Sequence, residues 1–432
     1  MTALIYTLGV LVFVVGVIAS IALHEVGHLY PAKKFGVKVT QYFVGFGNTI
    51  WSVKRGETEY GLKSIPLGGY VKLVGMLPPA KEQDPAVVRD TNTGLFTQLV
   101  ADARHAEYEL VTEEDQHRLF YKLPWWKKVI VMAGGPMVNV AISVVLFAVV
   151  LMGFGMLQPT TTVAAVSDCA ITDAELGRTC TDEDPVTPAR LAGLQPGDEI
   201  VEFNGEAITG WDQLSRLIRS NSDREASISV VRDGQRITER VPTTVIPRAS
   251  LEDPERTEEV GFLGVQPEQE QVRQSPLVVG EVMWEQVKAT GAAIVRLPVR
   301  MVDVTRSAFG AERPEDGPIS VVGASRVAGE LVTIDQPTWS ERAQRLMMLL
   351  ASLNLFLALF NFVPLLPLDG GHIAGALWEG LKRNVARLTG RPDPGPVDVA
   401  RMLPVAYAVG GILIVMSVIL IYVDIVNPVR LS

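Results

Sequence analysis

His24-Glu25-Val26-Gly27-His28 is the part of this chain best equipped for chemistry. On a helix, residues four apart share one face, so the two imidazoles can reach a single metal ion. Glu25 lies beside the first of them and can take a proton from water that the metal acidifies, as in HExxH zinc hydrolases. The motif ends an apolar run, Leu4 to Leu23, that holds no charged residue. Ionisable side chains in or beside a membrane span are costly and persist mainly where they act. Two histidines merely capping a membrane helix are the plainer alternative, but with five histidines in 432 residues a chance HExxH there is rare. The combination points to metal-dependent hydrolysis at or within a bilayer.

A catalytic zinc takes three protein ligands and leaves a fourth position open. The candidate third ligand lies in Asn361-Phe-Val-Pro364-Leu-Leu-Pro367-Leu-Asp369-Gly370-Gly371-His372. Here a helical run from near Leu346 meets two prolines, which remove backbone donors and break the ladder. The chain can then unwind inside the membrane and present Asp369 to a partner helix. His24, His28 and Asp369 are therefore the expected ligands of one Zn²⁺ per chain. His372 reads more simply as a hydrogen-bonding group at a helix end than as a ligand.

Four stretches are long enough to hold these residues in a membrane: Leu4 to Leu23, Val129 to Leu157, Leu346 to Leu368 and Leu403 to Val423. Hydrophobic residues make up 48% of the chain, too many for an ordinary soluble protein, while 20% charged residues are too many for a pure transporter. Basic residues cluster after the first span (Lys33, Lys34, Lys38), before the second (Lys122, Lys127, Lys128) and between the last two (Lys382, Arg383, Arg387, Arg391, Arg401). The positive-inside rule makes those regions cytoplasmic and the N-terminus external. From Thr160 to Arg345 acidic residues outnumber basic ones, which suits the outer side. Both cysteines, Cys169 and Cys180, fall in that segment and are expected to form a disulfide; free thiols in a reducing space are the alternative.

The same segment has a β-rich pattern. Pro188 to Gly205 reads as a short helix, a PGD turn, a strand and an NG turn, followed by a hairpin at Asp233-Gly234. It resembles a PDZ domain of the bacterial protease type over roughly Val163 to Ile246. Such domains bind extended peptides by strand addition; a β-rich spacer that binds nothing is the alternative. From Val282 to Thr305 apolar residues recur at helical spacing, as in an amphipathic helix on a membrane surface.

Taken end to end, the chain resembles the site-2 proteases, intramembrane zinc metalloproteases of regulated intramembrane proteolysis, and in particular actinobacterial (mycobacterial-type) members with a single PDZ domain. HEVGH matches the family's HExxH helix, and NFVPLLPLDGGH its Asn-Pro-Asp-Gly signature, here spaced NxxPxxPxDG. Tyr42 to Met76 resembles the membrane-associated β-hairpin loop, and Ala133 to Asn139 (AGGPMVN) the AGPxxN entry to the second span. Asn48 departs from the pattern, standing where a proline is expected, and the stretch from Pro78 to His117 is an unusually long cytoplasmic insertion. The resemblance implies that Glu25 is the catalytic base and that Asn361, Asn354, Gly68 and Gly69 bind substrate. It implies that single-span membrane proteins already trimmed outside, typically anti-sigma factors, are the substrates, and that the PDZ domain receives a peptide or substrate ectodomain. A bacterial plasma-membrane location follows, with no nucleic-acid partner.

The expected fold is therefore a polytopic α-helical membrane protein of four transmembrane helices, with a cytoplasmic membrane-associated β-hairpin loop and an extracytoplasmic α+β PDZ domain. The expected segments are span 1 with HExxH (1–30), the loop and insertion (31–127), span 2 (128–157) and the PDZ domain (158–247). A linker with amphipathic helices (248–345), span 3 (346–372), a basic loop (373–402) and span 4 (403–425) follow. Rival functions are a non-catalytic membrane-anchored PDZ adaptor, for which Glu25 would be dispensable, and a metal transporter, which would need a polar pathway repeated across several spans.

Overall fold

The computed structural model describes residues 2–78, 111–171, 179–181, 183–222, 224–250, 256–308, 310–311, 313–314, 317–334 and 337–429. Most of the expected insertion at Pro78 to His117 lies outside the described residues; its end carries a 3₁₀ turn at Glu113–His117. In chain order the elements begin with helix α1 (Thr2–Lys34), strands β1 (Val39–Arg55) and β2 (Thr58–Leu73), and helix α2 (Trp125–Ala148), which runs on as a π-helical turn to Phe154. Next come β3 (Met156–Val166), the one-turn α3 (Pro188–Leu191), β4 (Glu199–Phe203), β5 (Glu206–Ala207), α4 (Trp211–Ser220), β6 (Glu225–Arg232) and β7 (Gln235–Pro242). They are followed by β8 (Thr244–Ala249), β9 (Thr257–Phe262), β10 (Val265–Val272), α5 (Pro276–Ser307), α6 (Val321–Leu331), α7 (Trp339–Asn361), α8 (Asp369–Leu388) and α9 (Leu403–Val426).

The chain divides into two compact units, Met1–Met152 with Ser275–Ser432, and Gly153–Gln274. Among the described residues, four helices are long and apolar enough to cross a membrane: Thr2–Lys34, Trp125–Phe154, Trp339–Asn361 and Val399–Val426. Side chains such as Ile412, Ile414, Val415 and Val418 of α9 remain exposed, as a lipid-facing helix requires. Phe13 and Val17 of α1 pack against Ala324, Ala328 and Val332 beside α6, and Leu346 of α7 closes that cluster. A second cluster joins Leu29, Val37, Val39 and Leu73 to Val131 and Met132 of α2. The start of α7 is set by a capping box: Thr338 Oγ1 accepts from Glu341 N, and Glu341 accepts from Thr338 N at 2.6 Å.

β1 and β2 form more than a simple hairpin. The segment Gln41 to Val44 lies between Glu59–Leu62 on one side and Gly69–Lys72 on the other, so the two long strands curl into a small twisted sheet. Phe46, Ile50, Trp51, Ile65 and Leu67 stand exposed on it.

The second unit is an α+β module. Its main sheet runs β10-β3-β4-β6-β7, with β5 paired to β4, and β8 pairs with β9. Ile200, Phe203, Leu214, Ile228 and Val230 fill its core. Arg232 pairs with Gln235 across a two-residue turn in which Asp233 and Gly234 both take positive φ, the geometry that matches strand twist in a tight hairpin. Cys169 and Cys180 are joined by a disulfide.

Two expected boundaries differ from the structure. The module does not end at 247, because β10 returns to pair with β3 and carries it to Gln274. The third span does not run unbroken through 346–372, nor is 373–402 all loop. The helix stops at Asn361, a new one starts at Asp369, and that helix continues to Leu388. The prolines break the ladder as expected, but Ala, Leu, Glu, Lys and Arg beyond His372 are good helix formers and rebuild it.

Candidate metal centre and cavity

The site is built where α1 and α2 approach unusually closely. Pro31 lacks the N–H that would bond the carbonyl of Gly27 four residues back, leaving that oxygen free to face α2. A Cβ on Gly134 would stand 1.9 Å from this oxygen, and one on Gly27 would stand 2.3 Å from the carbonyl oxygen of Gly134. Only glycine at both positions lets the two backbones meet. The contact brings the carbonyl of Val131 within 2.8 Å of His28 Nδ1. A carbonyl can only accept, so Nδ1 carries the proton and Nε2 keeps its lone pair.

That lone pair faces the other donors. His28 Nε2 lies 3.2 Å from His24 Nε2, and each nitrogen lies 3.4 Å from Asp369 Oδ2. Asp369 is brought in by the break before α8. A Cβ on Gly370 would meet the carbonyl oxygen of Val363 at 2.2 Å, and one on Gly371 the Leu366 nitrogen at 2.7 Å. The two glycines therefore let the restarted helix fold tightly onto the proline turn. As the first residue of α8, the carboxylate also sits at the positive end of the helix dipole.

The donor set can be tested against zinc. Two ligands of a tetrahedral Zn²⁺, each about 2.0–2.1 Å from the ion, lie roughly 3.3 Å apart. The separations of 3.2, 3.4 and 3.4 Å match that spacing. Gly135 supplies a second observation: a Cβ there would stand 2.2 Å from His28 Nε2 and 2.7 Å from His24 Nε2. Bare backbone on α2 thus leaves space beside the donors that any side chain would fill. His24, His28 and Asp369 form a group whose ligand atoms all lie within 4.8 Å of one another, and His372 is not part of it.

A cavity of about 700 Å³ opens on these residues. His24, Glu25, Asp369, Asn361, Gly68 and Gly69 all line it, so the structure gathers most of the expected site residues. Gly69 packs directly on Glu25: a Cβ there would come 2.8 Å from Glu25 Cγ. Tyr42 ties the curled sheet to α1 by donating to the carbonyl of Ala22 at 2.8 Å. Burial, and then the neighbouring Glu25 carboxylate, pushes the Tyr42 phenol up to about 12, so it stays a protonated donor. Asn354 is placed differently. It is fully buried and donates to Ser20 Oγ at 3.0 Å and to the Leu350 carbonyl at 2.8 Å, joining α7 to α1 away from the cavity lining.

Two features were not anticipated: Gly135 beside the donors, and Asn139, which also lines the cavity. Both lie in AGGPMVN, which by itself reads only as the entry to a span. A pair of small residues facing the glycine of an HExxH helix is the signal that points to them.

The profile of Peptidase family M50 matches residues 12–391. The zinc metalloprotease Rip1 of Mycobacterium tuberculosis (strain H37Rv) is 31% identical, covering 99% of this chain and 100% of its own length. Rip1 of Mycolicibacterium smegmatis is likewise 31% identical over 99% of this chain and 100% of its own. The metalloprotease MmpA of Caulobacter vibrioides is 28% identical over 87% of each chain. With the family profile spanning most of the chain, and relatives matching it end to end, this chain belongs to Peptidase family M50, the site-2 protease family of zinc-dependent intramembrane proteases.

Proposed function

We propose that His24, His28 and Asp369 hold the zinc and that Glu25 is the general base for hydrolysis of a peptide bond in a substrate's transmembrane segment. The observation that carries this reading is the set of three donors at tetrahedral spacing from two separate helices, with Glu25 in the same cavity. Zinc held there supplies a Lewis acid that polarises an amide carbonyl and lowers the pKa of water towards about 7. Glu25 takes the proton from the attacking water and passes it to the leaving amine as the C–N bond breaks. Gly69 lets the β2 backbone lie against the Glu25 side chain, where any Cβ would press on it.

The substrate must be extended before its amide is accessible, because in a helix that amide is locked in the backbone ladder. Pro66 to Gly69 form the stretch of β2 that lines the cavity, and the free edge there can pair with an unwound segment. Asn361 lines the same space and can bind main-chain groups. The distribution of Lys and Arg supports an external N-terminus and β-rich module, with the zinc site towards the cytoplasmic side. The module is read as a PDZ domain that admits or selects trimmed substrates, and single-span proteins such as anti-sigma factors are the substrate class.

The test is metal analysis of detergent-purified full-length protein, with cleavage of a single-span substrate by wild type and by Glu25→Gln. One zinc per chain in both proteins, and cleavage by wild type alone, are expected. Comparable cleavage by Glu25→Gln would reject the assignment of the base.

A further inference from the structure

The cavity is lined by a buried polar group with an unpartnered oxygen that neither the expected ligand set nor the general base accounts for. Asn139 of α2 is 2% exposed, yet it lines the cavity together with His24, Glu25 and Asn361. Its Oδ1 is buried and has no hydrogen-bond partner among the described residues. An unpaired carboxamide costs free energy wherever water is excluded, and more inside a membrane span. A ligand that enters the cavity would supply the missing partner.

The helix geometry shows where the carboxamide points. Asn139 follows Gly135 by four residues, so the two share one face of α2. Cα–Cβ bonds tilt towards the helix N-terminus. The Asn139 side chain therefore leans back towards the space that Gly135 leaves open beside the two histidine Nε2 atoms. A carboxamide offers an acceptor oxygen and an NH₂ donor, which complement one N–H and one C=O of an extended peptide. An unwound transmembrane segment has lost its own i to i−4 partners for those same groups.

We propose that Asn139 is a substrate-binding residue that hydrogen-bonds the main chain of the unwound substrate segment beside the scissile amide. The assignment rests on the protease reading above. Ser143, four residues further along the same face, is the internal control. It is fully buried and its Oγ also lacks a partner among the described residues, but it does not line the cavity.

The experiment uses full-length, zinc-loaded protein carrying Asn139→Ala, Asn139→Leu, Ser143→Ala or Glu25→Gln. Zinc content, kcat and KM for a transmembrane peptide are measured, along with inhibition by acetohydroxamate, which has no peptide main chain, and by a peptidyl hydroxamate. Both Asn139 variants are expected to keep their zinc and their sensitivity to acetohydroxamate. They should lose about 10–100-fold in kcat/KM, and in affinity for the peptidyl hydroxamate, the usual cost of removing one or two hydrogen bonds to the bound chain. Ser143→Ala should stay within about twofold of wild type, because it removes an unpartnered hydroxyl outside the cavity and breaks no hydrogen bond among the described residues. The assignment is overturned if either Asn139 variant cleaves within about threefold of wild type. It is also overturned if zinc and acetohydroxamate binding fall in parallel with cleavage, since Asn139 would then hold the metal site rather than the substrate. A wild type that binds zinc but cleaves no better than Glu25→Gln would reject the protease reading itself, and this assignment with it.

Discussion

Lys128 Nζ and Glu379 Oε2 lie 2.7 Å apart and almost closed to solvent, joining α2 to α8. The second carboxylate oxygen of Glu379 is 3.2 Å from Arg383, and the Val397 N–H donates to Glu379 at 3.3 Å. Both helices contribute to the proposed zinc site. α2 carries Gly135 and Asn139, and α8 begins with Asp369, ten residues before Glu379. The pair therefore ties together the two helices that carry these residues.

Breaking a buried ion pair from one side leaves an uncompensated charge, at a cost of about 3–5 kcal/mol, whereas replacing both partners by apolar groups is often neutral. Glu379→Ala should accordingly lower the thermal unfolding temperature and reduce the zinc retained through purification. Lys128→Met combined with Glu379→Met should recover most of both. A double variant as unstable and as zinc-poor as the single one would show that the ion pair itself is required, and that the loss does not come from an uncompensated Lys128 charge.

Gly135→Ala is the sharpest test of the metal centre on a residue that is not a ligand. The added Cβ would fall 2.2 Å from His28 Nε2, well inside contact distance, so either the helices separate or the imidazoles turn away. Zinc affinity should drop at least about tenfold, and cleavage with it, comparable to disturbing groups that orient ligands. Gly153→Ala is the control, because a Cβ there meets nothing within 4 Å. Full zinc occupancy in Gly135→Ala, measured by metal analysis, would contradict the donor arrangement described above.

What was legible in the sequence divides along physical lines. His24 and His28 are recoverable because i, i+4 spacing on a helix is local geometry. Asp369 is recoverable because zinc chemistry asks for a third donor and the two prolines mark where a helix must open. Gly135 and Asn139 are not, since their roles exist only once Gly27 and Gly134 have brought two helices into backbone contact. The family resemblance implied a substrate-binding role for Asn354, but a polar residue inside a span can equally tie two helices together, as its bond to Ser20 does. The module's true end escaped because β10, Val-Gln-Pro-Glu-Gln-Glu-Gln-Val, is an edge strand with most side chains exposed and no apolar alternation.

Asp198 connects a turn to the module's sheet and gives a pH prediction. Its carboxylate accepts from the Gln195 N–H at 2.8 Å and from Arg232 Nε and Nη2 at 2.6 and 2.7 Å. Burial pushes the carboxyl upward, but the Arg232 guanidinium and the Gln195 N–H outweigh it, and the net shift is below the ordinary aspartate value. A carboxyl depressed in the folded state contributes stability that is fully present above its unfolded pKa, about 3.9, and is lost as pH falls through the lower folded value. Amide-exchange protection in Val163 to Val241, corrected for intrinsic rates, should therefore hold from pH 7 to about 5 and decline below 4. Asp198→Asn should lower protection at pH 7 by about tenfold or more, the scale of a charge-assisted hydrogen bond, and should flatten the acid decline. An unchanged acid profile in this variant would assign the decline to other carboxyls.

The disulfide supplies the last prediction. Cys169 and Cys180 are 11 residues apart, and Cys169 also forms an isolated antiparallel bridge with Val186, just before α3 and the module's first buried turn. Closing a loop of that length should stabilise the folded module by about 2–3 kcal/mol on the chain-entropy account. Reduction, or Cys169→Ser with Cys180→Ser, should therefore raise exchange around Ser167 to Leu194 and leave zinc content unchanged, because none of the three donors lies in the module. If the module selects substrates, the same variant should still cut a short, pre-trimmed transmembrane peptide at near wild-type rate while admitting untrimmed proteins more readily. Alkylation of both cysteines in protein isolated under oxidising conditions, read by mass spectrometry, would refute the bridge. Loss of cleavage of the short peptide would make the module a requirement for catalysis instead of a filter on what reaches it.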